Sequence, residues 1–204
     1  MTLSVFPDAH VRRIRDRHLM TAVDGSRSPA TGTQEIQDWG GEVWMFSIEC
    51  RVSQGRTARE MSAFFDALGG RRTRFLFADP TAINPEGDVA TLHRLPVVEG
   101  AGQTGNSLVT SGWDPGTWAM KWGDFFSLGS DVSTRLYRVT ADAIADAAGN
   151  ATLSITPRLR TSPADQEALE VTSPKVVLRM TSPIPTGIER ADKHTFTFSA
   201  EEGL

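Results

Sequence analysis

Side chains able to do chemistry are few in this chain and widely spaced. The four histidines, His10, His18, His93 and His194, form neither an HExxH helix pair nor a His-x-His ligand pair. Each reads as a surface or capped residue. No serine occupies a G-x-S-x-G elbow. Gly100 to Ser107 (GAGQTGNS) has the spacing of a phosphate-binding loop, but Asn106 stands where the lysine should be. Such a loop must also join a buried strand to a helix N-terminus. Here a β segment follows, so a Gly-rich turn is expected. Asp79, Asn84, Glu86 and Asp88 are calcium ligands by type. Their spacing follows no calcium loop, and a solvated turn is the expectation. The pair of carboxylates that a glycoside hydrolase needs is not placed by any motif. No enzyme activity, cofactor or metal is therefore expected.

Cys50 is the one cysteine, which excludes an internal disulfide and a cysteine-based zinc cluster. It falls on the apolar side of a strand pattern, where a free thiol serves as a small hydrophobe. Asn150-Ala-Thr152 matches a glycosylation sequon, which carries weight only behind a secretory signal. Pro7, Asp8 and His10 stand where such a signal needs an apolar core, so no secretory leader is expected.

Binding surfaces have better candidates. Trp113, Trp118 and Trp122 crowd one β-rich region. They suit core or inter-subunit packing, or a stacking platform for a sugar or single-stranded nucleic acid. Arg12, Arg13, Arg15 and Arg17 form either a solvated strand face or a contact for an acidic partner. Arg71, Arg72 and Arg74 follow the helix described next and are candidates for a subunit or hub interface.

These residues need elements to hold them. Residues 42–52 (EVWMFSIECRV) alternate with period two, placing Trp44, Phe46, Ile48, Cys50 and Val52 on one face of a half-buried strand. Thr57 to Glu60 fits a capping box. Ala58, Met61, Phe65 and Leu68 then fall at helical spacing, with Phe64 widening the stripe, and Gly69-Gly70 supplies a left-handed end. The helix core anchors are thus Met61, Phe65 and Leu68. Thr73–Ala78 resumes as a strand, ended by Asp79-Pro80. Residues 80–106 read as a loop or arm. Further strands are expected at Trp118–Trp122, Asp124–Leu128, Ser133–Ala141, Ala151–Pro157, Val176–Thr181 and His194–Ala200. Residues 158–174 read as a polar loop, with one helical turn open at Glu167–Glu170. Residues 1–30 give no single reading. The early strand-helix-strand unit and the two closing strands flank a Trp-rich β module, which points to one small domain inserted in another.

Composition agrees with a folded chain. The 204 residues are 39% hydrophobic, with 18 glycines, inside the ordinary globular range. A chain of this length can bury a core without metal or disulfide. Lys and Arg number 21 against 25 Asp and Glu, for a net charge of −4. A dedicated nucleic-acid binder would be basic instead. No apolar run approaches the roughly 18 residues of a membrane helix.

Four segments together resemble a known family. They are FFDALGGRRTRFLFADP (Phe64–Pro80), GWDPGTWAMKWGDFFSLG (Gly112–Gly129), RLYRVTADAIADAAGNATLSITPRLR (Arg135–Arg160) and the closing FTFSAEEGL (Phe196–Leu204). Their order resembles the distal tail proteins of long-tailed bacteriophages, prophages and gene transfer agents. Lys121, Gly123, Asp124, Phe125, Leu136, Tyr137, Arg138 and Val139 carry its hairpin-pair motif. The resemblance covers about residues 40–204.

What it implies is a viral structural protein of the virion tail tip or baseplate, synthesised in the host cytoplasm. The expected fold is mainly β: a tail-tube-like β-sandwich with one flanking α-helix, plus an inserted small OB-like β-barrel. The sandwich would occupy 1–98 and 170–204, and the barrel 99–169. Expected partners are further copies in a ring, usually a hexamer, with the tail tube, tail hub and tape-measure proteins, and DNA in passage through the channel. A carbohydrate-binding accessory module of a tail tip is the alternative.

Overall fold

The structure, a computed structural model, describes residues 2–88, 95–184, 186–189 and 192–203. It is mainly β, with one α-helix among the described residues. His93 lies outside these residues.

The period-two pattern around Trp44 forms strand β5 (Val43–Cys50). Trp44, Phe46, Ile48 and Cys50 are buried along it. The strand stops at Cys50, so Val52, expected on the same face, is 55% exposed. On one side β5 pairs with β17 (Lys193–Glu202), on the other with β2 (Val11–Met20), both antiparallel. Beyond β17 come β15 (Lys175–Met180), β7 (Arg74–Ala78) and the short parallel edge β1 (Ser4–Val5), giving the order β1-β7-β15-β17-β5-β2. The first half of β17 also pairs with β6 (Ser53–Gln54) and β16 (Thr186–Glu189).

Helix α1 (Arg56–Leu68) packs its stripe of Ala58, Met61, Phe65 and Leu68 into this sheet's core. Gly69 ends it in the left-handed conformation at φ 59°. The expected capping box does not form. The helix begins one residue before Thr57, with Gly55 at the N-cap and no side-chain cap. Thr57 is therefore inside the first turn, and Glu60 instead accepts a hydrogen bond from Arg56 Nε at 2.7 Å. The core itself is a phenylalanine cluster. Phe6, 1% exposed, has ring centroids of Phe64, Phe65, Phe75, Phe77 and Phe198 within 6.2 Å.

Between β7 and β15, neighbours in that sheet, the chain builds a second sheet with its own core. Its order is β11 (Phe125–Leu128), β12 (Arg135–Val139), β14 (Ala151–Leu159), β9 (Gly105–Ser111) and β8 (Val97–Val98), all antiparallel. A two-stranded piece, β10 (Trp118–Met120) with β13 (Ala143–Ile144), adjoins it. Along β14 every second residue from Ala151 to Leu159 is buried, as a half-buried strand requires. Residues 158–174 are not a plain polar loop, and Glu167–Glu170 make no helical turn. Ala168 bridges Val97 of β8, and Glu170 bridges Ser127 of β11. This segment joins the two edges of the sheet, so the hydrogen-bonded circuit closes and neither edge is left open. Leu169 and Val171 point into the core it seals.

The two cores meet at a tied junction. Trp44 Nε1 donates to the Leu136 carbonyl at 3.0 Å, and its ring lies 5.7 Å from Phe125. Arg160 Nη1 stands 2.8 Å from Glu202 Oε1, the carboxylate fully buried. The last antiparallel unit, β3 (Val23–Arg27) with β4 (Gln34–Asp38), stands apart as a two-stranded ribbon.

Candidate functional site

The candidate site is the outer edge of β2 together with the exposed ribbon that follows it. β2 forms because Val11, Ile14 and Leu19 reach the first core. Its other side chains, the exposed Met20 apart, are polar, which is why periodicity in the sequence is weak there. Two irregularities in register, between Val11 and Arg13 and between Ile14 and Asp16, accommodate the arginines; from Asp16 to Met20 the pairing with β5 is regular. Among the described residues no strand pairs with the outer edge of β2.

Three of the arginines share one acid. Arg12 Nη1 lies 2.8 Å from Glu49 Oε1, and Arg13 Nε and Arg15 Nε donate to Oε2 at 2.9 and 2.8 Å. Hydrogen bonds from Arg15 and then Arg13 bring the Glu49 carboxyl down from 4.5 to about 2. One carboxylate against three guanidiniums leaves this stretch of edge cationic. Arg17 points elsewhere and pairs with Asp79, its guanidinium 4.3 Å above the Phe125 ring.

The ribbon and its flanks carry four of the exposed apolar residues. Every residue of β3 and β4 is exposed. In their register Val23 faces Asp38, Gly25 faces Ile36 and Arg27 faces Gln34, which sets Val23 and Ile36 on one side together with Arg27, Gln34 and Asp38. Asp24, Ser26, Glu35 and Gln37 take the other. Val23, Ile36 and Trp39 are 48%, 63% and 72% exposed, and Met20 at the end of β2 is 46% exposed. Arg158 anchors the base, donating to Asp38 Oδ2 at 2.6 Å.

The remaining sequence candidates disperse. Arg71, Arg72 and Arg74 sit at the far side of the sheet, next to β7 and β1. Arg71 is 3.5 Å from Glu201, Arg72 is exposed, and the Arg74 stem lies over Gly203. Trp113 is core, its Nε1 donating to Thr110 Oγ1 at 2.8 Å. Trp118 and Trp122 are not core, at 39% and 75% exposed. The strand expected over 118–122 ends at Met120, and an irregularity between Trp118 and Met120 lets Ala119 and Met120 both face inward. Trp118 is turned outward as a result.

Asp79 is buried, not part of a solvated turn. It accepts from Thr81 N and Oγ1, both at 2.7 Å, and from Arg17. Glu86 and Gly87 give their amides to Asp124 at 2.9 and 3.3 Å, and Asp88 accepts from Trp118 N at 2.9 Å. These acids cap backbone amides and do not converge on a common point. Among the described residues no cluster of three potential His, Cys, Asp or Glu ligands occurs. The Gly100–Ser107 turn satisfies itself, since Asp165 takes the Gly100 amide at 2.8 Å and Gln103 bonds the carbonyls of Glu99, Gly100 and Val109. A carboxylate thus occupies an amide that a phosphate would need. His18 is 2.7 Å from Asp16, and His194 is 3.0 Å from Asp192 and stacked on Phe196. Burial, with the nearby charge of Glu49, pushes the Cys50 thiol up to about 12, which leaves it protonated and unreactive.

Comparison with protein-family models and with curated proteins returns no match.

Proposed function

We propose that this chain is the protomer of a ring in a virus-like tail tip: a distal tail protein that joins the tail tube to the hub and leaves a channel for DNA. The observation that carries this reading is the β2 edge with its ribbon. Among the described residues, a ten-residue strand with no partner on its outer edge leads into a fully exposed ribbon that carries Val23 and Ile36 on one side. An isolated two-stranded ribbon is marginal in water, and an open edge invites pairing. Both features make sense where a second copy covers them.

The sheet has two different ends, β2 at one and β1 beside β7 at the other. Contact of one end with the opposite end of the next copy is heterologous, and such a contact closes into a ring when its rotation permits. Arg71, Arg72 and Arg74 lie by the β1–β7 end and belong to that contact or to the hub. A net −4 per copy gives six copies about −24, a sign that keeps phosphates from adhering to the wall. The four sequence segments that resemble distal tail proteins support the same assignment.

The test is mass and shape. Light scattering should return about 133 kDa for six copies of the 22.2-kDa chain, and negative-stain images should show annuli. Ile36→Asp with Trp39→Asp should dissociate them to monomers of unchanged far-UV dichroism. A wild-type protein that stays monomeric at high concentration would overturn the reading.

A further inference from the structure

A cavity of about 300 Å³ opens at the junction between the two sheets, where Arg17 reaches in from β2. Its floor is Phe125, 5% exposed, with the Arg17 and Arg138 guanidiniums 4.3 and 5.3 Å from the ring centre. Trp122 stands at its rim, three-quarters exposed. Arg17 is already committed to Asp79, and Asp124 to three backbone amides. Arg138, Asn84 and Glu86 also line it. Among the described residues, these three have no hydrogen bond or ion pair through their side chains.

We infer that this cavity binds a neutral pyranose unit of a polysaccharide. These three groups have complementary roles: a guanidinium only donates, a carboxylate only accepts, and an amide does both. A sugar hydroxyl also donates and accepts, so one ring with several hydroxyls can satisfy all three together. One cation and one anion among them leave the lining balanced, which favours an uncharged polyol over a net-charged ligand. An exposed indole supplies the flat apolar surface on which the C–H face of a pyranose rests. The volume is at the lower end of the roughly 300–1,000 Å³ of small-ligand sites.

The rim is also built in advance. Trp122 N donates to Asp142 Oδ1 at 2.7 Å, Gly123 N to the Val139 carbonyl at 3.0 Å, and Lys121 N to Asp124 at 2.8 Å. Gly123 holds φ 107°, a conformation other residues rarely adopt, and this turns the chain so that Trp122 faces out. A fixed platform loses little freedom on binding. The inference is independent of whether the chain forms a ring.

The experiment is saturation-transfer NMR and calorimetry on the full chain. The probes are oligomers of glucose, galactose, rhamnose and N-acetylglucosamine, with oligogalacturonate as the charged comparator. At least one neutral oligomer should bind; Trp122→Ala should abolish this and Arg138→Gln should weaken it about tenfold. Both positions are exposed, so melting temperature and sedimentation should match wild type. No binding by any neutral oligomer, a preference for oligogalacturonate, or binding unaltered in both variants would each overturn the inference. So would a changed oligomeric state in Trp122→Ala, because the indole would then be covering a second copy.

Discussion

Glu49 shows how one acid can hold a strand edge. Its folded carboxyl titrates at about 2 against an ordinary 4.5, so the unfolded chain binds that proton first. The stability it contributes is complete above about pH 4.5 and is lost as pH falls toward 2. Glu49→Gln should therefore lower the melting temperature at neutral pH and flatten its fall between pH 4.5 and 2. Thermal melts across that range check this, and parallel curves for the two proteins would refute it. Nothing in the sequence paired Glu49 with Arg12, Arg13 and Arg15, because the partners are more than 30 positions apart and meet only through the β2–β5 register. Phe6 was hidden for a similar reason. A single phenylalanine beside Pro7 and Asp8 has no periodic neighbour to mark it, yet it ends at the centre of the phenylalanine cluster.

At the scale of elements, burial decides what can be read. Helix α1 and strand β5 each have one wet and one dry side, so their periods of 3.6 and 2 are written in residue type. Phe65→Ala should cost about 3–5 kcal/mol, since the ring is 7% exposed and contacts Phe6, Phe196 and Phe198. Denaturant unfolding measures it, and an unchanged midpoint would mean that the helix is not seated as described. β3 and β4 are exposed on both sides and leave no such trace. The segment at 168–170 leaves no pattern in the sequence because its two pairings are single bridges to strands that are distant in sequence. The cap of α1 differs from the capping-box expectation for a local reason: Thr57 has the right chemistry two positions past the N-cap, which is a glycine at φ 61°. The junction cavity was only half legible. Arg138 belongs to the hairpin-pair motif and Trp122 sits at its unspecified position, but Asn84 and Glu86 arrive from a loop about 40 residues earlier.

For the whole molecule, the junction couples the two cores. Glu202 comes from β17 and Arg160 from just beyond β14, and Glu202 Oε2 also accepts the Trp44 amide at 3.3 Å. Burial raises the Glu202 carboxyl above its ordinary value despite the attraction of Arg160. Removing one partner of such a pair strands the other in a dry site. Glu202→Ala should thus cost about 3–5 kcal/mol, and its unfolding should remain a single transition whether followed at the core tryptophans or in the far ultraviolet. Two separated transitions would show that the cores melt independently. The place of β17 has a temporal consequence. It is the strand between β5 and β15, yet ribosomes make it after every other strand of its sheet. At roughly 5–20 residues per second, Phe46 on β5 waits on the order of ten seconds for the strand that pairs with it. During that interval the nascent chain offers a greasy, half-paired surface, so its yield in a cell should depend on holdase chaperones more than its finished stability would suggest.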